Sequence, residues 1–279
     1  MNELISVASL QKHLAKREVL VFDCRFNLMD AAAGHEAYLA GHIPGAVYAD
    51  LNRQLSSPHI PGLTGRHPLP DRTAWLAQVQ QWGITPDKLV VAYDDAGGAF
   101  AARLWWLLRW IGHEQVSVLN GGWKAWLAAK GESRAGEEAV RRASGKEYAT
   151  LTSLCREVRV TSVNAENYLL IDARDLIRFT GEKEPIDPVA GHIPGAVCSP
   201  MSGNLDEQGC FKTPAQLKEK FSGLQDAEKE LLCYCGSGVT AIHNILALKL
   251  AGFEEPILYA GSWSEWITDP SRPVARGSE

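Results

Sequence analysis

Short apolar runs alternate with longer helical stretches along this chain, and the alternation happens twice. In the first round, residues 19–23 (VLVFD), 89–93 (LVVAY) and 116–119 (VSVL) have the length and β-branched content of buried strands. Residues 71–81, 99–111 and 123–129 have the spacing of helices. In the second round the strands fall at 169–172, 231–234 and 256–259, and the helices at 214–221, 239–251 and 263–267. Strands alternating with helices predict an α/β fold of two tandem domains, each a mostly parallel sheet flanked by helices. The tryptophans at Trp105, Trp106 and Trp110 lie on one predicted helix and are expected to pack in the core.

The two rounds are copies of one unit. The string AGHIPGAV occurs at 40–47 and again at 190–197. Each copy is preceded by an apolar run ending in Asp-x-Arg (Asp23 and Arg25; Asp172 and Arg174). Each is followed by Gly-x-Trp-x-x-Trp (Gly121, Trp123 and Trp126; Gly261, Trp263 and Trp266). A charged, small-residue-rich stretch separates them, which gives a first domain at 1–135, a linker at 136–159 and a second domain at 160–279. Duplication supplies an internal control: what both copies keep is structural, and what one copy alone has is a candidate for function. His42 and His192 therefore read as turn histidines, with Pro44 and Pro194 fixing the turn and Gly45 and Gly195 permitting it. Arg25 and Arg174 read as partners of the neighbouring aspartates.

The copies diverge after the strands at 89–93 and 231–234. With Tyr93 set against Tyr234, Asp94 stands opposite Cys235. Cys235 is followed by Gly236-Ser237-Gly238-Val239 and then by a helix starting near Thr240. A strand end, a glycine-rich loop and a helix start bring several N–H groups and the positive end of a helix dipole to one thiol. Those are surroundings that stabilise a thiolate, a terminal persulfide sulfur or a bound sulfur oxyanion. The site expected from this pattern has Cys235 as nucleophile, with Gly236, Gly238, Val239 and Thr240 contributing backbone N–H groups to the developing charge. Cys233, two residues earlier on the same strand face, is expected to be core. Cysteine phosphatases cradle a tetrahedral anion in a similar loop but need an arginine six residues after the nucleophile; here that position is Ala241, which disfavours that chemistry.

Composition narrows the picture further. The 279 residues are 46% hydrophobic and 22% charged, with a formal net charge of −5, as in ordinary globular proteins. No basic tract points to nucleic acid, and no apolar run approaches the roughly 20 residues that cross a bilayer. The charged N-terminal stretch lacks a signal-peptide core, and the six cysteines need no pairing in a chain with a large core, so the expected compartment is the cytoplasm. Cys233 and Cys235 do not have zinc-site spacing, and neither a metal nor a cofactor is expected.

With these residues in view, the two HIPGA turns, the two Asp-x-Arg strand ends and CGSGVTA opening a helix resemble the tandem-domain rhodanese family, from about residue 4 to 267. The resemblance implies a non-catalytic first domain and a catalytic second one, a sulfurtransferase carrying sulfur as a persulfide on Cys235. The uncharged loop resembles the 3-mercaptopyruvate branch, since thiosulfate enzymes carry basic residues there, and a dianion favours positive charge nearby. That branch also implies assistance from Ser237 and from His67 in HPLP, and substrate binding by Arg178 of the Arg-Phe pair. Two departures are visible: Glu184-Pro185 is followed by Ile186 rather than a second arginine, and no acid lies between Leu51 and His67. The implied partners are a small-molecule donor, 3-mercaptopyruvate or thiosulfate, a cyanide or thiol acceptor, and a dithiol reductant protein as a further candidate. A thiosulfate-specific rhodanese and a sulfur carrier or docking protein with little small-molecule turnover stand as alternatives.

Overall fold

Runs of β-branched and aliphatic residues bounded by turns form the strands at the centre of each half. The computed structural model describes residues 2–138, 148, 152–225 and 228–278. It divides into two units: Met1–Ser57 with Leu69–Leu154 and Gln208–Cys210, and Pro58–Pro68 with Cys155–Glu207 and Phe211–Glu279. Much of the candidate linker at 136–159 lies outside the described residues. Of the rest, the Leu154 N–H bonds the Arg109 carbonyl in the first unit, whereas the Val158 N–H bonds the Leu258 carbonyl in the second.

In the first unit, β1 (Leu4–Ile5), β2 (Val19–Asp23), β3 (Val47–Tyr48), β4 (Leu89–Tyr93) and β5 (Val116–Leu119) form one sheet in the order β1-β5-β4-β2-β3. Every pairing is parallel. Helices α1 (Val7–Lys16), α2 (Ala33–Ala40), α3 (Arg72–Gln81), α4 (Ala101–Trp110) and α5 (Gly122–Ala128) connect the strands. Trp105, Trp106 and Trp110 on α4 are buried, as the apolar pattern predicts.

The second unit repeats the plan with β6 (Tyr168–Asp172), β7 (Val197–Cys198), β8 (Glu230–Tyr234) and β9 (Ile257–Leu258), all parallel, in the order β7-β6-β8-β9. Its helices are α6 (Leu176–Phe179), α7 (Pro214–Lys220), α8 (Thr240–Leu250) and α9 (Ser262–Trp266). A capping box of Thr213 and Gln216 with Pro214 at the first helical position starts α7. Leu170, Leu232, Tyr234, Phe179 and Trp263 meet in the core.

The repeated motifs do structural work in both copies. Asp23 and Asp172 each take a forked pair of bonds from Arg25 and Arg174, whose Nη2 also donates to the carbonyl of Gly41 (2.6 Å) or Gly191 (2.7 Å). Each guanidinium lies over a tryptophan of the Gly-x-Trp element, 4.9 Å from Trp123 or 4.8 Å from Trp263. Strand end, histidine turn and final helix are thus joined through one side chain. His42 and His192 are buried, each with Nδ1–H donating to a carbonyl, that of Tyr38 (2.9 Å) or Phe179 (2.8 Å). Tyr93 and Tyr234 finish the joint by accepting from the N–H of Ile43 and Ile193, both at 3.2 Å.

The two-residue strands β1, β3 and β7 and the helices α1, α2 and α6 have no counterpart in the sequence reading. The apolar periodicity of these strands and of α2 and α6 spans too few residues to stand out from loops; α1, ten residues long behind a Ser6 N-cap, carried a legible signal that the reading passed over. The last predicted strand, at 256–259, is confined to Ile257–Leu258 because only those residues pair with β8.

Candidate active site

β8 delivers its chain to Cys235 in the second unit. The loop that follows is pinned from outside: the Cys235 carbonyl accepts from the Trp263 N–H, and the Gly236 carbonyl from that of Ser264, both at 2.9 Å. The Cys235 N–H donates to Ser262 Oγ (3.0 Å), which itself donates to the Tyr259 carbonyl (2.9 Å). The loop then curls so that the Gly238 N–H points back at Cys235 Sγ, 3.2 Å away. Gly238 has φ +75°, and a Cβ there would lie 2.1 Å from the Ala260 carbonyl oxygen, so only glycine makes this curl. Val239 is the N-cap residue of α8, without a side-chain cap, and Thr240 is its first residue. The thiol is 2% exposed, at the bottom of this turn.

The first unit shows what such a loop holds. Asp94, opposite Cys235, is fully buried, and its carboxylate accepts from the N–H groups of Ala96 (2.9 Å), Gly98, Phe100 and Ala101 (2.8 Å each). Burial pushes the Asp94 carboxyl above the usual carboxylate range, while the four N–H donors pull it back. The loop is an anion cradle, filled in one copy by its own carboxylate and occupied in the other by a thiol.

Of the remaining sequence candidates, His67 and Ser237 are brought together, with Nδ1 and Oγ 2.8 Å apart and both residues buried. The segment at 58–68 that carries His67 packs in the second unit. Gly65 runs so close to Gly261 that a Cβ would lie 2.4 Å from its carbonyl oxygen, and the Arg66 N–H donates to Ser264 Oγ (3.1 Å). Arg178 on α6 also arrives at the loop. A Cβ on Gly236 would be 3.5 Å from both of its Nη atoms and 2.8 Å from Nη2 of Arg66.

The arginines are held by two buried acids. Glu184 takes both oxygens to Arg178 Nε at 3.0 Å and lies 3.4 Å from Arg174 Nη1. Burial alone would raise its carboxyl, but Arg178 and the N–H groups of Asp187 and Ile186 bring it below the usual range. Asp187 bridges the pair, one oxygen to Arg178 Nη2 (2.9 Å) and the other to Arg66 Nη1. Burial foremost, aided by Glu184 and opposed by Arg66 and Arg178, lifts the Asp187 carboxyl. Ile186, where a second arginine was looked for, turns its side chain outward.

Sequence reasoning missed Arg66, Glu184, Asp187 and Ser262. Arg66 adjoins His67, and that adjacency was the available signal. The uncharged character of the loop holds only for its own residues. Arg66 and Arg178 bring guanidiniums to Gly236 from distant segments, and Asp187 and Glu184 pair with them there. Cys233 is fully buried as expected, its thiol pushed well up by burial and by Cys235. Among the described residues, no three His, Cys, Asp or Glu side chains gather as metal ligands, and no helix is long and apolar enough to cross a membrane.

The second unit is thus a parallel α/β unit that sets a thiol at a strand end, inside a turn whose counterpart in the first unit holds a carboxylate. The comparisons give the family. Residues 6–129 and 160–269 each match the Rhodanese-like domain. Over 280 residues the chain is 49% identical to a Pseudomonas aeruginosa protein named "Probable 3-mercaptopyruvate sulfurtransferase", covering 99% of this chain and 98% of that one. It is 33% identical over 271 residues to the thiosulfate sulfurtransferase of Bos taurus, covering 92% and 88%. The crystal structure of SseA from Escherichia coli, titled for the fold and mechanism of 3-mercaptopyruvate sulfotransferases, superposes with a TM-score of 0.79 at 32% identity, covering 95% of this chain and all of that one. The chain belongs to the rhodanese family of sulfurtransferases, with two rhodanese-like domains.

Proposed function

We propose that this chain moves a sulfane sulfur from 3-mercaptopyruvate or thiosulfate to cyanide or a thiol through a persulfide on Cys235, with 3-mercaptopyruvate the better donor. The observation that carries the reading is the Gly238 N–H directed at Cys235 Sγ at 3.2 Å, in a loop whose twin binds a carboxylate. The Cys235 thiolate attacks the outer sulfur of the donor and a new S–S bond forms. With 3-mercaptopyruvate the C–S bond breaks, and the pyruvate enolate leaves and takes up a proton. With thiosulfate the S–S bond breaks and sulfite leaves. The acceptor then attacks the terminal sulfur, regenerating the thiolate and releasing thiocyanate or a new persulfide.

The N–H groups between Gly236 and Thr240 hold the charge on the terminal sulfur through both steps. The paired His67 and Ser237 supply or relay the enolate's proton, a task that thiosulfate does not require. Arg178 binds the donor's anionic end. The preference for 3-mercaptopyruvate rests on the 49% identity with the Pseudomonas protein and on this His–Ser pair. The catalytic unit is the second; the first, with Asp94 in its cradle, is non-catalytic. The division at 1–135, 136–159 and 160–279 remains the proposed domain scheme. A chain with a core this large needs no disulfides to hold it together, which suits a reducing compartment, hence the cytoplasm, where a dithiol protein would serve as acceptor.

Paired steady-state kinetics with both donors and cyanide, using Cys235→Ala as blank, test the proposal. Intact-mass measurement after donor treatment is expected to show one added sulfur atom on the native chain and none on the variant. Donor-dependent turnover retained in Cys235→Ala would overturn it.

A further inference from the structure

The donors proposed above are anions, yet the loop that takes their sulfur has no charged side chain. Arg66 reaches this loop from a segment far away in sequence. Its Nη2 is the nearest atom to the empty Cβ position of Gly236, at 2.8 Å, with both Nη atoms of Arg178 at 3.5 Å on the same side. Asp187 ties the two guanidiniums together and is itself 3% exposed, against 25% for the Arg66 side chain and 13% for Arg178. The carboxylate is thus the covered member of the trio, and the guanidiniums are the open ones. Arg66 need not use its charge to anchor its segment, because its N–H already bonds Ser264 Oγ and Gly65 lies against Gly261.

We infer that Arg66 is a donor-binding residue, which forms with Arg178 a two-guanidinium clamp, backed by Asp187, for the anionic end of the sulfur donor beside Gly236. A guanidinium fork takes a carboxylate or a sulfonate-like group equally well, so one clamp serves both donors. The inference rests on Cys235 being the sulfur carrier.

The test compares the native enzyme with Arg66→Gln and Arg66→Lys. The first readout is the rate at which Cys235 is alkylated by iodoacetate and by neutral iodoacetamide; the second is KM and kcat for each donor. Arg66→Gln is expected to lower the iodoacetate-to-iodoacetamide rate ratio and raise KM for both donors about 10- to 100-fold, with kcat changed far less. Arg66→Lys is expected to recover part of the ratio, since it keeps the charge and loses the fork. An unchanged ratio and unchanged KM would overturn the clamp. So would an equal slowing of both alkylations with kcat down and KM constant, because Arg66 would then only hold the His67 segment in place. If the native enzyme never loads sulfur on Cys235, the sulfurtransferase reading fails, while the alkylation ratio still decides whether Arg66 recognises anions.

Discussion

Ser262 has φ +54°, the left-handed conformation that Gly122 adopts at φ +54° in the first unit. A side chain there is strained, and the second unit keeps one: its hydroxyl accepts the N–H of Cys235. Restoring glycine removes the strain and the acceptor together. Ser262→Gly is therefore expected to change stability by less than about 1 kcal/mol, with a several-fold loss of kcat; Ser262→Ala keeps the strain, loses the bond and is the less stable of the two. Urea melts beside steady-state assays separate these outcomes. Gly238→Ala puts a Cβ against the Ala260 carbonyl at a positive φ, and is expected to cost about 3 kcal/mol or open the loop, with sulfur loading lost. Gly238 was legible in sequence, since a glycine between a strand end and a helix start advertises such a turn. Ser262 was not, because a serine after Gly261 carries no local sign of its backbone angle.

At the scale of elements, the strand–loop–helix unit appears with two fillings. Asp94→Asn keeps one carbonyl acceptor and turns an NH2 group toward N–H donors, leaving buried donors unpaired. It is expected to destabilise the first unit by about 2–4 kcal/mol in denaturant melts. The turn after α4 carries a different signal. Burial lowers the His113 pKa from its ordinary value to about 4, against the pull of the Gln115 carbonyl; Nε2 lies 3.2 Å from that carbonyl, and Nδ1 lies 2.8 Å from the Tyr148 hydroxyl. The folded ring stays neutral where the unfolded one protonates, so its contribution is present above about pH 6.5 and is lost as pH falls from there toward 4, by up to about 3 kcal/mol. Thermal melts of His113→Gln across that range are expected to show a shallower acid slope than the native chain. The long central strands and the apolar helices α4 and α8 could be read from periodicity. The two-residue strands β1, β3 and β7 could not, because their order comes from pairing with neighbours distant in sequence.

For the molecule as a whole, duplication is the organising fact. Each copy has an arginine that joins strand end, turn and final helix, so Arg25→Lys and Arg174→Lys are both expected to cost about 2–4 kcal/mol, through loss of the fork and the tryptophan contact. Arg174 also lies 3.4 Å from Glu184, which holds Arg178, so its substitution should raise donor KM as well; equal donor KM in the two variants would break that link. The sequence by itself determined the twofold repeat, the α/β alternation, the structural role of the shared motifs and the position where a cysteine stands against an aspartate, because each is written in contiguous residues or in the difference between two aligned copies. Tertiary structure alone decided that Arg66 and His67 from one segment, Arg178 and Asp187 from another, and Ser262 and Ser264 from a third surround the Cys235 loop. These residues are far apart in the chain, and only the packing of the segments on the sheet brings their charges and hydrogen bonds to one place.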